Sequence, residues 1–148
     1  MTNAHTAQTH SAEVMQGCLL TRTRRISRVI TQVYDQEMRP FGLSSSQFSM
    51  LVMIAGMKGA SRAEIGRANH QERSTSTRNL QLVLSNGWAE EQLPEKGRRR
   101  PIVLSDSGKS LLAAAMPAWR EAQAKVRRLI GEEGASALFA LAADLPSD

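Results

Sequence analysis

The sequence predicts a mainly α-helical protein with one small β-hairpin, flanked by longer helices at both ends. Three observations predict it. Apolar residues recur at helical spacing over most of the 148 residues. One helical stretch, Glu72 to Trp88, has a front of hydroxyls and arginines and an apolar rear. Two strand-like runs follow it, separated by the charged, turn-rich segment LPEKGRRR.

Composition narrows the function before any element is placed. Hydrophobic residues make up 41% of the chain, enough for a core. The formal net charge is +5, which favours an anionic partner. Much of the excess is local: residues 58–100 hold nine Lys/Arg against five Glu, whereas residues 112–148 hold four against five acidic groups. Cys18 is the single cysteine, so no intramolecular disulfide forms, in keeping with a reducing cytosol. The N-terminus has no apolar signal region and no run approaches the ~18 apolar residues of a membrane span. A cytoplasmic protein with no membrane partner is expected. At 4% aromatics the chain is a poor stacking platform for single-stranded nucleic acid. His5, His10 and His70 are poorly placed for metal or catalysis, and neither a Gly-rich phosphate loop nor a Ser/His/Asp set is present. No enzyme, metal or cofactor is expected.

The elements follow in order. Residues 1–12 are small and polar and predict a disordered tail. Residues 13–39 form a long helix, with Leu19, Ile26, Ile30, Val33 and Tyr34 on one face. Arg22, Arg24, Arg25 and Arg28 occupy much of the rest, either as a solvated face or as a basic lining near a ligand or DNA. Pro40 and Gly42 close it. Ser44 with Gln47, and Ser61 with Glu64, are two capping-box patterns. The first opens a helix with Phe48, Leu51, Val52 and Ile54 as its buried stripe. The second opens a short helix from Arg62 to about Ala68. The connector Asn69-His70-Gln71 leads into the Glu72–Trp88 helix, which Gly87 ends. Two short helices joined by a turn, the second rich in hydroxyls and arginine, form a helix-turn-helix pattern. The hairpin that follows, from Trp88–Gln92 to Pro101–Leu104, is its wing. Ser105-Asp106-Ser107 then caps a helix to about Arg128, with Leu111, Leu112, Ala115, Trp119 and Val126 inward. Pro117 is expected to kink it and Gly131 to break it. A last helix runs from about Glu132 to Ala143.

Residues 40–105 thus predict a winged helix-turn-helix lobe. The helices of 13–39 and 106–148 exceed what that lobe needs, and a two-fold axis would bury their apolar faces, so they are read as dimerisation helices.

The front of the Glu72–Trp88 helix suits DNA. A helix N-terminus offers unpaired amide donors and a partial positive charge to phosphate. Arg73, Ser74, Thr75, Ser76 and Thr77 lie there. Arg78, one turn in, has the length to reach guanine O6 and N7 in the major groove. Arg98, Arg99 and Arg100 sit on the hairpin, placed for the flanking minor groove or its phosphates.

The order of these parts resembles the MarR family of bacterial transcriptional regulators, over residues 14 to 144. The resemblance rests on RPFGLSSSQFSML, Thr77-Arg78-Asn79-Leu80, Gly87-Trp88-Ala89-Glu90, Leu104-Ser105-Asp106-Ser107-Gly108, Ala115-Met116-Pro117-Ala118-Trp119 and Ala122-Gln123. It implies a homodimeric repressor on a short palindromic operator of double-stranded DNA, released by a small, often aromatic effector. It implies an effector pocket between the first helix, the second helix and the DNA-binding lobe. Two positions depart from the family's pattern. Its wing carries Asp-x-Arg where this chain has Lys96 and Arg98, so Glu95 is the substitute brace. Its turn is apolar or small where this chain has Asn69 and Gln71, which implies a looser turn or polar groups used in binding. Two alternatives remain: a redox-responsive regulator using Cys18, as in peroxide-sensing members, and a winged-helix module for protein contacts or non-specific DNA binding.

Overall fold

In the computed structural model, residues 2–94, 97 and 99–146 are described. Helices α1 (Thr2–Gly17) and α2 (Leu19–Met38) are followed by a 3₁₀ turn (Arg39–Phe41). Then come α3 (Ser45–Met57), α4 (Arg62–Ala68), α5 (Arg73–Ser85), strands β1 (Ala89–Glu91) and β2 (Ile102–Leu104), and the long α6 (Asp106–Asp144). The fold is mainly α with a small β-hairpin wing.

Helix α3 is the hub. Ser44 caps it: its Oγ accepts from the Gln47 N–H at 3.1 Å, and Gln47 Oε1 accepts from the Ser44 N–H at 3.0 Å. Both halves of the capping box satisfy amides that the first helical turn leaves unpaired. Asp35 Oδ1 accepts from the Ser45 N–H at 2.7 Å, which ties α2 to the same helix start. The sequence SSQFSMLVMIAGM is apolar nearly all round, and such a helix is covered on most sides. It packs on α2, α4, α5, α6 and β2. Phe48, Met50, Leu51 and Ile54 are buried. Val52, expected in that stripe, is instead exposed, and Met50 takes the inward position. The reason is that α3 is covered on several sides rather than one, leaving only the Val52 side open.

The second capping box forms as well. Ser61 Oγ accepts from the Glu64 N–H at 3.3 Å and Glu64 Oε2 from the Ser61 N–H at 2.7 Å. It aims the short α4, whose Ile65 is completely buried beside Leu80 and Val83 of α5 in the same core cluster. The hairpin pairs Ala89 with Leu104, Glu90 with Val103 and Glu91 with Ile102. Its period-2 alternation puts Ala89, Ile102 and Leu104 in the core. The Ile102 N–H also donates to Ala60 O at 2.9 Å, so the linker before α4 closes the outer edge of β2.

Gly108 shows why a glycine opens α6. A Cβ there would lie 1.8 Å from the Trp88 carbonyl oxygen. Without one, the first turn of α6 rests directly on the β1 root. Ser105 N–H donates to Trp88 O at 3.0 Å, Ser107 Oγ donates to Gly87 O at 2.9 Å, and Ser105 Oγ accepts from the Gly108 N–H at 3.1 Å. Leu104 to Gly108 therefore form a junction that fixes the wing to the long helix.

Pro117 lies within α6, and the non-helical dihedrals fall at Gly131 (φ 76°, ψ 165°), a combination that essentially only glycine adopts. The break expected at Gly131 is present, dividing the helix into segments 106–130 and 132–144. Leu111, Leu112 and Trp119 pack against the core as half-buried residues, while Ala115 and Val126 are buried. Lys125 Nζ pairs with Glu37, and the Tyr34 hydroxyl donates to Gln123 Oε1, so α2 and α6 are joined by polar as well as apolar contacts.

The N-terminus corrects the sequence reading. Residues 1–12 were expected as a disordered tail and residue 13 as the start of a helix. Instead α1 runs over Thr2–Gly17. That stretch has no Gly or Pro before position 17, and Thr9 Oγ1 returns a bond to His5 O at 2.9 Å. The chain turns at Cys18 (φ −75°, ψ 113°), and the Arg22 guanidinium donates to Met15 O at 2.6 Å and Gln16 O at 2.8 Å. Arg22 thus satisfies the last carbonyls of α1, a more specific role than a solvated face.

Large apolar side chains remain open on these outer helices: Leu19, Leu20 and Ile26 on α2, and Leu129, Phe139, Leu141 and Leu145 towards the C-terminus. Among the described residues no helix is long and apolar enough to cross a membrane.

Candidate nucleic-acid interface

Helix α5 sorts its residues by a 3.6 period. Ser76, Asn79, Leu80 and Val83 face the core. Arg73, Ser74, Thr77 and Arg78 are exposed, and Thr75 is half-buried between the two sets. The exposed four occupy the first two turns, so two guanidinium groups and two hydroxyls share one outer surface. Ser74 Oγ donates to Glu72 Oε1 at 3.0 Å, and Thr77 Oγ1 donates to Arg73 O at 2.9 Å; each hydroxyl keeps acceptor capacity outward. Ser76 departs from the reading of an outward hydroxyl run. At 4% exposure it faces inward, because position 76 falls on the stripe shared with Leu80 and Val83.

The turn before α5 resolves differently from what its composition implied. Asn69 Nδ2 donates to Ser76 Oγ at 2.9 Å, the Gln71 N–H to Asn69 Oδ1 at 3.2 Å, and Asn79 Nδ2 to Gln71 Oε1 at 2.9 Å. Two polar residues of the turn are matched by two polar residues on the buried face of α5. The turn is neither loose nor turned outward; it is fastened. Spacings of seven and eight residues between these partners were visible in the sequence, but only their burial makes the pairing necessary.

The wing root is held by ion pairs to α4. Arg62 Nε lies 3.1 Å from Glu91 Oε1, and Arg99 Nη2 lies 3.0 Å from Glu64 Oε2. The Ser61 backbone and hydroxyl, and then Arg99, hold the Glu64 carboxyl below the ordinary carboxylate range. Hydrogen bonding to Arg62, with further positive charge from Arg100, does the same for Glu91. Arg99 and Arg100 are exposed. Arg98 lies outside the described residues, as do Glu95 and Lys96, the positions at which the wing departs from the family's Asp-x-Arg.

A cleft of about 830 Å³ lies between α2, α3, α6 and the turn that precedes α5. Ile30, Tyr34, Phe48, Val52, Met53, Met116 and Trp119 give it an apolar wall. Thr31, Ser45, Ser46 and Ser49 add hydroxyls, and His70 and Gln71 close the end next to α5. Among the described residues that line it, none is an Asp, Glu, Lys or Arg. Burial raises the Tyr34 hydroxyl above its ordinary value, against the nearby charge of Arg127. Val52, Met116, Trp119, His70 and Gln71 as cleft walls were not evident from spacing, since they come from three separate elements.

A helix-turn-helix with a hairpin wing, and a recognition helix exposing arginines and hydroxyls, define a winged-helix DNA-binding protein. No protein-family model matches the chain. It is 33% identical to the Mycobacterium tuberculosis transcriptional regulator MosR, solved in complex with DNA, covering 87% of this chain and all of that one with a TM-score of 0.63. A MarR family protein from the same organism, solved with salicylic acid, is 21% identical, with 88% and 98% of the two chains covered and a TM-score of 0.68. A Bacillus subtilis relative, the uncharacterized HTH-type transcriptional regulator YwoH, is 29% identical over 87 residues; the match spans 59% of this chain and 64% of that relative's length. The chain belongs to the MarR family of winged helix-turn-helix transcriptional regulators.

Proposed function

We propose that this regulator is a homodimeric, sequence-specific repressor that binds a palindromic operator and leaves it when a small apolar or aromatic effector enters the cleft. The observation that carries the DNA half is the division of α5. Its buried rear fixes the helix, while Arg73, Ser74, Thr77 and Arg78 are exposed on its front. In this reading Arg78 addresses base edges, and Arg73, Ser74, Thr75 and Thr77 address bases or phosphates. Arg98, Arg99 and Arg100 follow the flanking groove from the wing. Residues 40–105 form the DNA-binding lobe. Residues 13–39 and 106–148 form the dimerisation helices, because their open apolar side chains need a second surface. MosR supports the DNA partner, since it was solved in complex with DNA.

The effector half rests on the cleft, whose apolar wall and hydroxyl rim suit a flat apolar molecule with a few polar groups. The salicylic acid complex of the M. tuberculosis relative supports the same chemical class. Titration of labelled DNA from upstream of the chain's own gene tests the reading. Salt-sensitive, sequence-selective binding that Arg78→Ala weakens is expected. Equal affinity for that DNA and for random duplex would instead favour a non-specific module.

Cys18 supports a second mode of release. It stands at the N-cap of α2, and the Thr21 hydroxyl, backbone amides and the charge of Arg22 hold its thiol below the ordinary cysteine range. Peroxide treatment followed by DNA titration decides this reading: unchanged affinity ends it.

A further inference from the structure

The cleft and the recognition helix share one residue. Gln71 lines the cleft, and its Oε1 accepts from Asn79 Nδ2 at 2.9 Å. Asn79 is 7% exposed and Ser76, which accepts from Asn69 Nδ2, is 4% exposed. Among the described residues no buried side-chain nitrogen or oxygen lacks a partner. These bonds therefore hold α5 at one pitch relative to the turn. A rotation of α5 about its axis, or a shift of the turn, strands buried polar groups of α5, and an unpaired buried amide is disfavoured. An apolar turn would slide along α5 with smaller penalty. The polar one has a single seated arrangement and a distinct unseated one.

We infer that Gln71 is the positioning residue through which occupancy of the cleft sets the pitch of α5. A molecule seated against the Gln71 wall competes for the side-chain amide or displaces the turn. Asn79 loses its acceptor, and the Asn69–Ser76 bond, joined to Gln71 through the Gln71 N–H to Asn69 Oδ1 contact, loosens with it. The exposed front of α5 then leaves the angle at which it meets DNA. This rests on the cleft being the effector site, and it adds the route by which that site acts.

A tethered occupant tests it without knowledge of the natural effector. Ser49 lines the cleft and is exposed. In the full chain carrying Cys18→Ser and Ser49→Cys, N-phenylmaleimide places an aromatic ring in the cleft, and mass spectrometry verifies complete labelling. Labelling is expected to lower affinity for the upstream DNA at least tenfold. In the same protein with Gln71→Leu and Asn79→Leu, which removes both partners together, the labelling effect should shrink below twofold. Gln71→Glu, which keeps an acceptor for Asn79, should retain it. Hydrogen exchange over residues 69–80, read without DNA, should rise on labelling only where the pair is intact. Equal losses of affinity with and without the Gln71–Asn79 pair, or weakened binding with unchanged exchange over 69–80, overturn the Gln71 route and leave the effector cleft standing. Labelling that leaves DNA affinity unchanged in the intact protein overturns both.

Discussion

The lobe around α3 and the outer helices solve opposite problems with the same kind of sequence. In the lobe, apolar side chains from α3, α4, α5 and the hairpin meet each other. The starts of α3 and α4 are capped, and Ser76 and Asn79, the polar residues buried there among the described ones, have partners within the chain. On the outer helices, Leu19, Leu20, Phe139 and Leu141 face solvent within one chain. Hydrophobic periodicity alone does not distinguish these cases. A closed region is one whose apolar faces point at one another, and an open one has faces that point away.

The contrast can be broken most severely at the exposed front of α5. Arg78→Ala removes a side chain that contributes nothing to the core. It should cost about 1–3 kcal/mol of DNA binding, roughly five- to 150-fold, with an unchanged melting temperature. A fall in melting temperature alongside would place Arg78 in the fold instead.

Within the lobe, Gly108→Ala forces a methyl group onto the Trp88 carbonyl at 1.8 Å. The backbone there must shift, and destabilisation of about 3 kcal/mol is expected in denaturant titration. An unaltered midpoint would mean that the α6 start and the wing root separate freely.

On the outer helices, Phe139→Glu should leave the lobe's folding nearly intact yet shift the solution mass from dimer to monomer in light scattering. A monomeric parent protein, or a dimer indifferent to this change, would remove the terminal helices from the proposed interface. The substitution also removes the Arg127 stacking contact, 6.0 Å from the ring centre, which is a minor effect by comparison.

The smallest effect concerns pH. Glu64 and Glu91 have carboxyls held below the ordinary range. Depressed folded-state values mean that their contribution is present above the unfolded-chain value and is lost as pH falls below the ordinary glutamate range through the folded one. Both pairs are solvent-accessible, so the change in melting temperature should be slight, and Glu91→Gln should reduce it further. A steep acid transition insensitive to that substitution would assign the pH response to other groups.

Much of the architecture was legible in the chain because local rules decided it. Ser44/Gln47 and Ser61/Glu64 are capping boxes wherever they stand before a helix. Gly131 adopts a dihedral pair closed to other residues, and the wing's alternation follows from a period of two. Ser76 was misread because a hydroxyl run looks uniform in a sequence. Its inward direction depends on where the helix axis lies relative to α3 and α4. Residues 2–12 were misread because small polar composition resembles disorder, and the Arg22 contacts that satisfy the end of α1 come from the next helix.

The sequence by itself therefore determined the order of helices and hairpin, the arginine-bearing front of α5 and the break at Gly131, all consequences of short-range geometry. Only the tertiary structure decided that Asn69 and Gln71 fasten to Ser76 and Asn79, that Val52 opens onto a cleft, and that Trp119 walls it. Each of these depends on which faces of distant segments meet, and side-chain periodicity specifies a face without specifying its partner.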